Sequence, residues 1–212
     1  MLKGIVVVLL VLAVYAKDPP TLPPSYFQAF DETVTLANGT KQVLSGQLFY
    51  DAANNRERVD RTNGRYDLFC SSVLPNVTTP CTHTVVDNKR YLIYPVKRYC
   101  CYCCESAKGC GVLKQNWLEG AEYLGTENVK GVTYDKWMKE GGQKNYWWAT
   151  TDSNQIPRRL QEGDSKVDDY QVFSFINKTF EDSVFAIPDY CSDNCPLTSI
   201  CGNFRETQLK YE

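Results

Sequence analysis

Few residues in this chain are equipped for chemistry, and their spacing matches no catalytic motif. His83 is the single histidine, with Cys81 two positions before it. A Ser-His-Asp or Cys-His arrangement would have to be built around it by the fold. A lone histidine is more often a hydrogen-bonded structural residue, and that is the expectation here. Glu162, Asp164, Asp168 and Asp169 form an acidic run that could attract calcium. It lacks the ligand spacing of an EF-hand, so a solvated turn is expected. Two carboxylates at the right separation could hydrolyse a glycoside, but a separation in space is not written in a sequence. The chain contains no G-x-S-x-G elbow, H-E-x-x-H pair or phosphate-binding loop. The expectation is a protein that is not an enzyme and needs no cofactor, with calcium association as the one weak candidate.

Cysteine is the other reactive type. The ten cysteines are Cys70, Cys81, Cys100, Cys101, Cys103, Cys104, Cys110, Cys191, Cys195 and Cys201. A zinc site would want C-x₂-C pairs with a second pair or histidines at fixed distance, and the chain has one histidine, His83. Met1–Lys3 followed by the apolar run Ile5–Val14 and the permissive Val14-Tyr15-Ala16 reads as a signal peptide over residues 1–16. Behind such a leader, cysteines form disulfides. Local bridges between Cys70 and Cys81, and between one cluster cysteine and Cys110, leave three cluster cysteines for Cys191, Cys195 and Cys201. That layout straps the C-terminal segment across the middle of the chain. Three sequons, at Asn38, Asn76 and Asn177, fit the same compartment.

The elements that must position these residues are mostly strands. Residues 17–212 suit a single domain. Tyr26–Leu36 and Lys41–Tyr50 alternate around Asn38-Gly39, a hairpin turn. Arg56–Arg61 is expected as a strand with a solvated face, and Asn63-Gly64 as a hairpin into a strand Arg65–Cys70 with Tyr66 and Leu68 inward. Thr82–Val86 and Lys89–Val96 continue the pattern. Val112–Tyr123, with Trp117 and Leu118, is expected as a short helix. The stretch from Gly125 to Leu160 breaks into short runs rich in Val, Thr, Tyr and Trp, an antiparallel meander. Val167–Ile176 is expected as a strand that is apolar on both sides. Short strands separated by turn signals give a mainly β barrel or sandwich. Net charge is −2, which gives no reason to expect nucleic acid. No run beyond the leader approaches the roughly 20 apolar residues of a membrane span.

Asn145–Thr151 is the informative run. Tyr146, Trp148 and Thr150 face one way on a strand, and Trp147 and Ala149 face the other. A sheet with one wet face would not carry a large aromatic on each side. A second layer or a hollow has to cover the second face.

Two segments resemble the ependymin-related family. Gly46-Gln47-Leu48-Phe49-Tyr50-Asp51, followed by Asn54–Val59, is similar to that family's G-x-x-x-Y-D strand and basic strand. Phe180–Cys191 is similar to its late D-x-S-V-F-x-x-P-x-x-C signature, while the Cys100–Cys104 cluster departs from the usual pattern of fewer cysteines. The resemblance implies two stacked antiparallel sheets curved into a half-barrel, like bacterial lipoprotein carriers, around a deep hydrophobic pocket. It also implies a secreted or lysosomal glycoprotein that binds lipid-like ligands, often as a homodimer, with calcium association.

On that basis Trp148, Tyr146, Phe173 and Phe175 are expected to wall an apolar cavity, with Tyr134 and Trp137 nearby and Trp147 as the alternative to Trp148. The expected function is non-enzymatic binding of a hydrophobic or amphipathic ligand in the extracellular space or a vesicular lumen. The alternative is a carbohydrate-binding or cell-matrix adhesion module using exposed tryptophans. A disulfide-stapled hydrolase would instead need a polar cleft holding His83 or two close carboxylates.

Overall fold

The computed structural model of the protein describes residues 17–191 and 193–206. The leader at residues 1–16 lies outside the described residues. The chain runs β1 (Ser25–Thr35), β2 (Lys41–Asp51), β3 (Arg56–Arg61), α1 (Leu68–Val73), β4 (Cys81–Val86), β5 (Lys89–Tyr94) and β6 (Tyr99–Glu105). It continues through β7 (Glu122–Val129), β8 (Val132–Glu140), β9 (Lys144–Thr150), β10 (Pro157–Glu162), β11 (Lys166–Tyr170), β12 (Ile176–Asn177), β13 (Asp193–Asn194) and α2 (Ile200–Glu206). The described strands form one sheet in the order β13-β6-β5-β4-β3-β2-β1-β11-β10-β9-β8-β7, with β12 added beside β1. Every pairing among them is antiparallel except β13 on β6.

The mainly β half-barrel is therefore present, and its two layers are the two limbs of one curved, hydrogen-bonded sheet. β1 and β2 are long because their alternation is sustained. Tyr26, Gln28, Phe30 and Glu32 are buried on one face of β1, and Leu44, Gly46, Leu48 and Tyr50 meet them on β2. Tight turns hold the hairpins. Gly39 adopts φ +80, and Asn38 Oδ1 accepts from the Thr40 N–H at 3.0 Å. Asp87-Asn88 and Lys130-Gly131 supply consecutive positive φ values, which match the twist of the strands they join.

Curvature brings distant strands together. Tyr26, Phe30, Leu48, Tyr50, Trp137, Trp147 and Tyr170 form one core inside the concave face, although β2 and β9 are separated by three intervening strands. Residues 112–121 cross one end of that concavity. Leu118 is fully buried there, the Trp117 ring meets Trp147 edge-on at 5.4 Å, and Tyr50 donates to the Leu113 carbonyl at 2.7 Å. Backbone and side-chain bonds join Gln115 to Leu22, so the lead-in helps to close the same end. A second core is built on sulfur. Cys70 bonds Cys81, Cys104 bonds Cys110, and Cys100, Cys101 and Cys103 bond Cys191, Cys195 and Cys201. These bridges tie α1 to β4 and hold α2 against β6, with α1 packed on α2.

Three expected elements differ. Residues 65–70 do not form a strand: Asp67 Oδ1 caps α1 by accepting from the Cys70 N–H at 2.8 Å, and Leu68 points outward, 65% exposed. In place of the helix expected over Val112–Tyr123, residues 112–121 form turns with φ +73 at Gly120. The Trp117, Glu119 and Ala121 N–H groups bond carbonyls three residues back, and the Gln115 carbonyl accepts from Leu22 of the lead-in. Glu122 and Tyr123 already belong to β7. The strand expected over Val167–Ile176 stops at Tyr170. There the Gln171 N–H donates to Ala29 O, and Val172–Ser174 turns away.

Candidate functional site

The strand faces that look inward carry charge as well as rings. Glu32 on β1 lies directly across from Asp168 on β11. Arg61 ends β3 on the same face and donates from Nε and Nη2 to Glu32 Oε2 at 3.0 and 2.9 Å. It also lies 3.3 Å from Asp67, the capping residue of α1. Lys166 Nζ reaches Glu162 at 3.0 Å, Asp168 at 3.2 Å and Glu32 at 3.7 Å. His83 on β4 holds Asp67 Oδ1 at 2.9 Å. The Arg90 guanidinium beside it donates to the carbonyls of Cys110 and Gly111.

These groups line a chamber on the concave face. Its outer part, about 530 Å³, is bounded by Glu32, Arg61, Asp67, His83, Arg90 and Lys166. An inner part of about 210 Å³ shares Arg61, His83, Arg90 and Lys166 and ends on aromatic and aliphatic residues, including Tyr50, Trp147, Leu160 and Tyr170. Sites of this size hold small organic ligands. The chamber is amphipathic: an apolar floor under a charged mouth.

Electrostatics inside the chamber follow from burial and counting. Burial alone would raise the Glu32 pKa, but Arg61 and Lys166 outweigh it and hold the carboxyl below its usual range. Asp67 goes the same way, well below, because Arg61 and His83 overcome its burial. Burial pushes His83 down, against the pull of Asp67, so the imidazole favours its neutral form. Asp168 has the opposite balance. Burial and the Glu32 charge outweigh Lys166, and its pKa is pushed up to about 6. Glu57, facing the inner chamber, is raised by burial despite Arg90 and Arg61. Three polar atoms of the network are buried without a hydrogen-bond partner: Glu32 Oε1, Asp168 Oδ1 and Arg61 Nη1. Buried polar groups left unpaired are costly, so each calls for a partner that the neighbouring side chains do not supply.

The expected pocket residues divide between two faces. Trp137 is fully buried in the concave core, and Phe175 packs beside it against Tyr26 at 5.2 Å. Trp148, Tyr146 and Tyr134 lie on the opposite face in a small cluster with Val129 and Val172. There Lys136 Nζ stands 4.7 Å over the Trp148 ring and the Arg159 guanidinium 5.5 Å from it. Phe173 is 88% exposed, because the strand expected to carry it has ended. Trp147, the alternative, is the tryptophan that reaches the chamber. Both faces of β9 are thus covered, one by the limb opposite and one by cationic side chains.

The expected acidic run does not converge. Glu162 and Asp168 face the chamber, Asp169 points outward to Arg158 and Arg159, and Asp164 is exposed in the turn. Alternation along β11 separates them, so the four do not gather in one place, and the solvated turn holds Asp164. Cys70, Cys81 and His83 come close enough to bracket a metal ion, but the two sulfurs are bonded to each other and present no thiolate. His83 Nε2 lies 3.2 Å from the Cys70 sulfur. Asn38, Asn76 and Asn177 are all exposed.

Sequence reasoning passed over Glu32, Arg61, Asp67 and Lys166. A signal was present: Gln28 and Glu32 share strand parity with Tyr26 and Phe30, and Arg61 shares parity with Val59. Charges on the apolar face of an alternating strand mark a polar interior.

The chain matches the model of a domain of unknown function, DUF8395, over residues 24–191. No curated protein matches it. Among solved structures it is similar to an uncharacterized conserved protein from Thermus thermophilus, at TM-score 0.51 and 10% identity, over 80% of this chain and 90% of that one. A LolA superfamily protein from Nitrosomonas europaea aligns at TM-score 0.38 and 11% identity, over 79% of this chain and 92% of that one. The first likeness is one of fold, and the second is too loose to bear on function.

Proposed function

The chain belongs to the DUF8395 family, and from its chamber we propose that it is a non-enzymatic binding protein for a small amphipathic ligand. One observation carries the reading: an aromatic floor of Tyr50, Trp147 and Tyr170 meets a mouth of buried charges whose polar atoms are not all paired. A ligand with an apolar body and a polar end satisfies both. Each buried methylene contributes about 0.8 kcal/mol, so the apolar end supplies affinity and the polar end sets orientation. The lipid-like ligand expected from the ependymin resemblance fits this reading, with the binding wall at Trp147 and Leu160 rather than at Trp148. The two segments that carry the resemblance also touch. Arg56 pairs with Asp182 at 2.6 Å and lies 4.5 Å over the Phe185 ring, and Phe49 meets Phe180 at 5.8 Å. No row of exposed tryptophans supports the carbohydrate alternative: Trp137, Trp147 and Trp148 are 2% exposed or less, and Trp117 is half-buried.

We place the protein in an oxidising, secretory or vesicular compartment, on its five disulfides and three exposed sequons. Among the described residues no helix is long and apolar enough to cross a membrane. The test is uptake of a neutral apolar fluorophore, N-phenyl-1-naphthylamine. Leu160→Trp, which fills the inner chamber, should abolish saturable uptake, and Leu124→Trp on the exposed edge should not. Equal uptake by both variants and the parent would sink the proposal.

A further inference from the structure

The proposed ligand has a polar end, and the chamber's charge count bears on its sign. Through contacts of less than 4 Å, one connected network joins the carboxylates of Glu32, Asp67, Glu162 and Asp168 to two fixed cations, Arg61 and Lys166. His83 hydrogen-bonds to the network at Asp67, but its burial favours the uncharged ring. Arg90 and Glu57, the next pair inward, add one charge of each sign. Carboxylates therefore outnumber cations by two. Two of the carboxylates also carry unpartnered acceptors. Glu32 is 1% and Asp168 5% exposed, they face each other across β1 and β11, and each keeps one carboxylate oxygen without a donor. The inner chamber, which Asp168 also lines, ends on Tyr50, Trp147 and Tyr170.

We infer that the chamber selects an organic cation, an amphipathic primary or quaternary amine whose ammonium group sits between Glu32 and Asp168 above the aromatic floor. This rests on the reading that the chamber binds an amphiphile. An ammonium supplies what the site lacks: positive charge for surplus carboxylates and, in a primary amine, N–H donors for two idle acceptors. Aromatic rings beneath a cation add a further attraction through their electron-rich faces. In the free protein a proton does part of this work, because Asp168 takes one up near pH 6. A bound ammonium replaces that proton, so uptake releases it. An anionic end would find two unpartnered donors, Arg61 Nη1 and Trp147 Nε1, but would add a third negative charge to the surplus.

The experiment compares three chain-matched probes, decylamine, decanol and decanoate, by calorimetry on the purified full protein at pH 7.4 and below their micelle concentrations. Decylamine is expected to bind at least tenfold more tightly than decanol, and decanoate more weakly than either. Asp168→Asn should bring decylamine to within about threefold of decanol. Should that variant fail to fold, the unmodified protein still gives the answer. Titration of decylamine at pH 6 in buffers of different ionisation enthalpy should show net proton release, and decanol should show none. Equal affinity for amine and alcohol overturns the inference and leaves the amphiphile reading standing. Tightest binding of decanoate overturns it in favour of an anion at Arg61. Binding of none of the three defeats both.

Discussion

Asp168 offers the sharpest test of the chamber's electrostatics, by replacement with asparagine. Its carboxyl is opposed by Glu32 from β1 and Glu162 from β10, and attracted by Lys166 on its own strand and Arg61 from β3. Burial and these neighbours move its pKa from 3.8 to about 6. A raised value means that the folded protein binds the proton more tightly than the unfolded chain. The stability from this group is therefore fully present below about pH 4 and is lost as pH rises through 6. Over the whole span the difference is about 3 kcal/mol, of which about 1 kcal/mol falls between pH 5 and pH 7. His83 is shifted down, so in the same window it acts with the opposite sign, and Glu57 acts with the same sign as Asp168. Comparing the parent with Asp168→Asn cancels both. Urea unfolding followed by tryptophan fluorescence should show the parent gaining about 1 kcal/mol on the variant when pH falls from 7 to 5. Below about pH 4.5 the comparison ends, because the unfolded chain then takes up protons at its carboxylates and the stability contributed by depressed groups such as Glu32 and Asp67 is drawn down too. Parallel pH profiles for the two proteins would refute the argument that burial and Glu32 govern this carboxyl.

Arg61→Met keeps much of the side-chain volume but leaves Glu32 and Asp67 buried without their guanidinium. A loss of about 3–5 kcal/mol is expected, read from the urea midpoint, and a loss below about 1 kcal/mol would show the pair to be dispensable. At Gly46 an added Cβ would sit 2.3 Å from the Phe30 ring, which is itself held between Tyr170 and Arg61. Gly46→Ala should cost about 1–3 kcal/mol through overpacking, and adding Phe30→Leu should recover part of it, as thermal unfolding of the single and double variants would show.

How much of this was legible depended on whether the information was local. β1 and β2 could be read from alternation and from Asn38-Gly39, because pleat and turn chemistry act over a few residues. The tryptophans on both sides of β9 correctly required cover for both faces. Which face looked inward was not legible, since that depends on a limb about a hundred residues away in the chain. α1 was misread because six residues around Asp67 carry too little period to distinguish a capped turn from a strand. The chamber was missed for a related reason. Glu32, Arg61, Asp67, His83, Lys166 and Asp168 come from four strands and a helix cap, and no window of sequence contains more than a few of them. Their parity on the strands showed that something polar faced inward, and only the curvature of the sheet showed that they met.

The three bridges from β6 to the C-terminal segment also decide what the ends of an open sheet can do. A row of unpaired N–H and C=O groups invites another chain to add as a further strand. At one end β13 lies parallel on β6, and Cys101–Cys195, between Asp193's partner residue and the residue after β13, fixes it there covalently. At the other end β7 has no further strand beside it among the described residues. It carries an irregular register between Tyr123 and Gly125, a φ of +90 at Gly125, and Glu122 and Glu127 along its length. A bulge and charge spoil the straight, neutral template that strand addition needs. Both edges are thus guarded, one by sulfur and one by distortion, and a second copy of the chain that docked on this molecule would have to approach a face of the sheet and not its rim.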